Sequence, residues 1–139
     1  MKDTLRPGMS RTSRITIDRD RTISFMGEEA RVYSTSRMVH DVEMTCRNLL
    51  VEHCDPGEDS VGVGIALTHL AATLMGSTVE ITASVTAVDG RKVEFAVSAK
   101  DEIDEISAGN HTRVVVGLDR RIERLRSKAA KLAALKASI

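Results

Sequence analysis

Two alternating runs, Thr78 to Val88 and Arg91 to Ala99, are separated only by Asp89-Gly90. Asp-Gly between period-two runs is the strongest short-range signal for a β-hairpin, because its backbone accepts the turn that matches strand twist. The same alternation precedes the pair, from Val61 to His69, and follows it, from His111 to Leu118 with Val114-Val115-Val116 at its centre. No helical period falls between these strands, so the chain has no crossover connections and its sheet is antiparallel.

One helix precedes the sheet. From Ser36 to His53 the period changes, and Met38, Val42, Cys46, Leu49 and His53 recur at three and four. Ser34 or Thr35 can cap its start, and Pro56-Gly57 stops it. A single long apolar helix has to be covered, and a sheet wrapped around it does so economically. The expected fold class is therefore α+β: a hotdog fold, an antiparallel sheet wrapped around one central helix, plus a C-terminal helix. At 139 residues the chain is one domain over 1–139, with its core at about 12–118 and a basic helix at about 119–139. Residues 1–11 read as an irregular lead-in, Ser13 to Ile17 and Thr22 to Met26 as short extended pieces, and Gly27-Glu28-Glu29 as a turn. A sheet of this kind leaves an edge that a second copy can pair with, which predicts a homodimer or higher oligomer with sites between subunits.

Composition narrows the partners. The formal net charge is zero, so no global field recruits nucleic acid or membrane. The aromatics are only Phe25, Phe95 and Tyr33, too few for a base-stacking platform. No apolar stretch approaches a membrane span. Cys46 and Cys54 lack CxxC spacing and read as reduced thiols, which places the protein in the cytoplasm. His40, His53, His69 and His111 have no ligand spacing with the cysteines, so neither a metal nor a cofactor is expected. Charge is uneven, however. From Asp119 onward seven Lys/Arg stand against two acids, a local +5 that leaves −5 for the rest. Leu118, Ile122, Leu125, Ala129 and Leu132 form a stripe along that basic tail. It reads either as a helix packing within the protein's own dimer or as a contact for an anionic ligand or partner.

Three residues carry the parts needed for acyl transfer: the hydroxyl of Thr35, the carboxylate of Glu43 and the imidazole of His69. Each has a plainer reading. Thr35 can simply cap the helix, Glu43 can be a solvated glutamate paired with Arg47 one turn on, and His69 can be a satisfied strand-end histidine. Glu43 projects beside Val39 and Leu50, at the edge of the apolar stripe, where an acid is expensive without a task or a partner. Gly62, Gly64, Ala66 and Thr68 make one face of their strand small, so another backbone or a ligand can come close. Val61, Val63, Ile65, Leu67 and His69 are expected on the other. His111 and Arg113 share a side of theirs, and an Arg there suits a phosphate, a carboxylate or an intersubunit ion pair.

Several stretches together resemble the hotdog acyl-CoA thioesterases of the fluoroacetyl-CoA thioesterase-like family. They are Ser34-Thr35-Ser36-Arg37-Met38-Val39 with Glu43 eight positions after Thr35, Asp55 to Gly62, Thr68 to Thr73, Val88-Asp89-Gly90-Arg91, Ala99 to Ile106, and Gly109-Asn110-His111-Thr112-Arg113. The resemblance runs from about Tyr33 to Leu118. It implies an acyl-CoA substrate, a catalytic Thr35, Glu43 and His69, a backbone near Gly62 that approaches the thioester, and Arg113 beside the ligand. The longer aromatic lid of the fluoroacetyl-specific members is replaced here by the short Met26-Gly27-Glu28-Glu29-Ala30, so the resemblance implies thioester hydrolysis without naming the acyl group. Scarce aromatics fit a small acyl chain. The alternatives are an acyl-thioester hydratase or dehydratase, which would need an Asp–His pair over the acyl carbons, and a non-catalytic acyl-CoA-binding module.

Overall fold

The structure is a computed structural model that describes residues 1–138. Strand β1 (Ser10–Thr16) is followed by two short pieces, β2 (Thr22–Ile23) and β3 (Val32–Tyr33), that pair with each other. Helix α1 (Thr35–Val51) comes next, then β4 (Glu58–His69), β5 (Thr78–Asp89), β6 (Lys92–Lys100), β7 (Glu105–Gly117) and helix α2 (Leu118–Ala137). The five long strands form one sheet in the order β1-β5-β6-β7-β4, antiparallel at every step.

The core lies between α1 and one face of this sheet. Met38, Val42, Cys46, Leu49 and Leu50 of α1 are buried, and so are Val79, Ile81, Ala83 and Val85 of β5 and Val93, Phe95, Val97 and Ala99 of β6. The helical period of three and four thus meets a strand period of two, as expected from the sequence. The β5–β6 loop is Gly90-Arg91, one residue beyond the expected turn. Asp89 already pairs with Lys92, and Gly90 takes φ 60° at the first loop position, as in a II′ turn.

Several boundaries differ from the sequence reading, among them those of β2, which stops at Ile23, and of β4, which begins at Glu58. Strand β1 begins at Ser10 inside the expected lead-in, because its backbone pairs with β5 up to Ser84. Strand β7 begins six residues earlier than expected, at Glu105. Helix α1 ends at Val51, before Cys54, which sits buried in the following turn.

Strand β4 carries a larger correction. Gly62 pairs with Arg113 and Gly64 with Thr112, so Val63 is an extra residue, a β-bulge. The bulge inverts the alternation. Ser60 and Gly62 share the α1-facing side with Arg113 and Val115, whereas beyond the bulge Ile65, Leu67 and His69 take that side and Val61 does not. β4 is also a sheet edge. Val63 is 59% exposed and Ile65 38%.

Candidate active site

The first half of the site forms at the start of α1. Ser34 Oγ accepts a hydrogen bond from the Arg37 backbone N–H at 3.2 Å and so caps the helix. The cap leaves the Thr35 hydroxyl free, and Thr35 Oγ1 lies 2.8 Å from His69 Nδ1. His69 ends β4 directly opposite Ser107 of β7. His69 Nε2 is buried without a hydrogen-bond partner, and so is Ser107 Oγ.

The second half lies along α1 and β4, over the bulge. Arg113 is buried, and its guanidinium donates from Nε to Ser60 Oγ at 2.8 Å and from Nη2 to Ser60 O at 2.9 Å. Nη1 reaches His111 Nε2 at 3.2 Å, while His111 Nδ1 lies 2.8 Å from the Gly64 carbonyl. A guanidinium cannot accept, so Nε2 is the acceptor and the proton sits on Nδ1, donated to Gly64. Burial lowers the His111 pKa, which agrees with a neutral ring. Burial also lowers the Arg113 pKa, and the nearby Glu43 charge is the main force opposing it.

Glu43 faces this cluster from α1, half-buried and without a hydrogen bond among the described residues. Arg47, the helical neighbour that could have neutralised it, is committed elsewhere: it forms a two-point ion pair with Asp59, Nε to Oδ1 at 3.0 Å and Nη2 to Oδ2 at 2.5 Å. Gly62 closes the other side. A Cβ there would stand 3.2 Å from His111 Cε1 and 3.4 Å from Arg113 Nη1, so any larger residue would press on the pair. Within one chain Arg113 is buried and makes no ion pair among the described residues; its guanidinium braces Ser60 and His111 beneath Glu43.

A buried network that sequence reasoning missed anchors α1. Asp41 is 4% exposed, accepts from the Tyr33 hydroxyl at 2.5 Å and from Arg21 Nε at 3.0 Å, and holds the segment before the helix to its second turn. Burial and the Asp41 carboxylate raise the Tyr33 pKa. The signal available was an acid at i+3 from Met38, on the apolar side of the helix.

The two halves stay apart within one chain. Thr35 and Glu43 are eight residues apart on α1, about 12 Å along its axis at the helical rise. Along β4 the stretch from Gly62 to His69 is roughly 20 Å. Both halves include residues of β4, an edge strand of the sheet.

The family model described as fluoroacetyl-CoA-specific thioesterase matches residues 17–119, which include both halves. The chain belongs to the fluoroacetyl-CoA-specific thioesterase family. Among curated proteins, it is 35% identical over 135 residues to the fluoroacetyl-CoA thioesterase of Streptantibioticus cattleyicolor, covering 92% of this chain and 97% of that one. Among solved structures, the fluoroacetyl-CoA thioesterase FlK superposes with a TM-score of 0.83 at 34% identity, covering 91% of this chain and 98% of the other. A Thermus thermophilus hypothetical protein of the thioesterase superfamily superposes at 0.87 with 24% identity over 95% of this chain and 98% of its own, a likeness of fold alone. Membership makes this protein a thioester hydrolase with a hotdog-like fold. No helix among the described residues is long and apolar enough to cross a membrane.

Proposed function

We propose that this fluoroacetyl-CoA thioesterase family member hydrolyses a small acyl-CoA to the free acid and CoA, with Glu43, His69 and Thr35 as its catalytic groups. The observation that carries the reading is Glu43: a half-buried carboxylate with no hydrogen bond among the described residues, in a family of thioester hydrolases. In the water route Glu43 takes a proton from water as its oxygen attacks the thioester carbonyl carbon. The C–S bond then breaks, and the leaving thiolate takes a proton from His69. In the direct route a Glu43 oxygen bonds to the carbonyl carbon, the C–S bond breaks with the thiolate taking a proton from His69, and water cleaves the resulting anhydride to the free acid and the Glu43 carboxylate. Thr35 orients His69 through Nδ1 so that Nε2 faces the substrate. Beside the bulge at Val63, the N–H at Gly62 is the candidate donor to the developing oxyanion.

The site requires two copies. Antiparallel pairing of two β4 edges sets the Gly62 end of one strand beside the His69 end of the other. Glu43 then meets the partner subunit's His69, which removes the separation found within one chain. Exposed Val63 and Ile65 on an unprotected edge support a homodimer formed this way. Two unpaired cysteines support a reducing, cytoplasmic setting. Thiol release from an acyl-CoA series tests the activity, and kinetics of the Glu43→Ala, His69→Ala and Thr35→Ala proteins test the roles.

A further inference from the structure

Helix α2 has no part in the chemistry above and buries no residue. It begins at Leu118, where the family match is nearly complete at residue 119. At about 100° per residue, Arg120, Arg121, Arg124, Lys128 and Lys131 fall within roughly 100° of one another. The stripe of Leu118, Ile122, Leu125, Ala129 and Leu132 lies on a different face.

None of these five cations makes an ion pair among the described residues. Arg120 with Arg124, and Arg124 with Lys128, are like charges one turn apart, an arrangement that destabilises a helix unless an anion neutralises it. The first turns of this basic face line a groove of about 790 Å³ whose other wall is the end of the sheet, with Arg91, Val115 and Val116. Arg91 is held there by Glu58 at 2.9 Å, which leaves Arg120, Arg121 and Arg124 as the free cations, against a single acid, Glu123, in the same lining. The charge asks for a compact polyanion, because the groove gathers three guanidiniums that suit the planar recognition of phosphate oxygens.

The groove is also within reach of the catalytic cluster. Gly117, in its wall, is four residues beyond Arg113 on β7, about 13 Å along the strand. An acyl-CoA carries its phosphates away from the thioester on an extended pantetheine arm, so a substrate with its carbonyl near Glu43 has its phosphates at a comparable remove.

We propose that Arg120, Arg121 and Arg124 on α2 bind the pyrophosphate and 3′-phosphate of the CoA substrate. The inference rests on the thioesterase reading, since it takes the anion to be part of that substrate. The guanidiniums hold the nucleotide end, and the reacting end is untouched by them. They therefore contribute to substrate capture and leave the chemical step unchanged.

The test compares the wild type with an Arg120→Ala/Arg121→Ala/Arg124→Ala protein on two substrates with the same acyl group, the CoA ester and the phosphate-free pantetheine ester. The expected result is a KM for the CoA ester raised about tenfold or more with kcat held, and unchanged kinetics on the pantetheine ester. An unchanged KM for the CoA ester overturns the proposal and leaves the thioesterase reading standing. An equal loss on both esters also overturns it, because the helix would then be acting on the fold or the dimer. If the wild type cleaves neither ester, the thioesterase reading fails. Calorimetry with CoA itself then decides the site: binding lost in the triple variant supports it, and no binding by the wild type overturns it.

Discussion

Ser34 and Thr35 are adjacent hydroxyl residues with separate tasks: Ser34 caps α1, and Thr35 Oγ1 reaches His69 Nδ1 at 2.8 Å. Substitution should therefore separate them. Ser34→Ala loses the cap, about 1 kcal/mol of stability, and keeps most of the activity. Thr35→Ala leaves the melting temperature nearly unchanged and lowers kcat. Thermal melts and steady-state kinetics on both proteins check this. Matched losses in the two variants would mean that Thr35 acts through the helix alone.

The β4 edge should control assembly and activity together. Val63 is the bulge residue and is 59% exposed, so Val63→Lys costs the isolated chain little while placing a charge where two edges would pair. Light scattering should show monomers, and thiol release should collapse with them. Monomers with full activity would show that one chain holds a complete site.

Glycine at 109 is required for the approach of β4 to β7. A Cβ there would lie 1.9 Å from the Ala66 carbonyl oxygen, a backbone atom that cannot turn aside. Gly109→Ala should destabilise the protein by about 3 kcal/mol or more, or prevent folding, as chemical denaturation would show. A change below about 1 kcal/mol would mean that the strand shifts freely.

Buried His111 should make stability fall with acid. Its folded pKa lies below the ordinary 6.5, so as pH drops the unfolded chain takes up the proton first. Stability contributed by the neutral ring is present above about pH 6.5 and is lost progressively toward the lower folded pKa. Melts between pH 7 and pH 5 should show this slope, and His111→Gln should flatten it. An equal slope in both proteins would assign the effect to other groups.

Much of the fold was legible in the sequence. The α1 stripe, the alternation of β6 and of β5 as far as Val85, and a tight hairpin turn at Gly90, displaced by one residue from the expected Asp-Gly pair, each reflect a local rule. The early start of β7 was hidden because Ser107, Gly109 and Asn110 are small or polar, a composition set by the close passage of β4. The inverted face of β4 was hidden because one inserted residue breaks a period of two, and Gly62 and Gly64 mark the place without giving the direction. The site was legible as a set of residue types. Its division was not, because Arg47 finds Asp59 across the fold, Arg113 turns inward to Ser60, and Thr35 and Glu43 are separated by helix rise that a motif does not display.

The central claim is that Glu43 acts on a thioester carbonyl, and free-thiol release from a series of acyl-CoAs, short to long, tests it most directly with Glu43→Ala alongside. The expected result is turnover by the wild type, best with small acyl groups, and a loss of roughly 10²–10⁴ in the variant. Thiol release by Glu43→Ala within a few-fold of the wild type would contradict it.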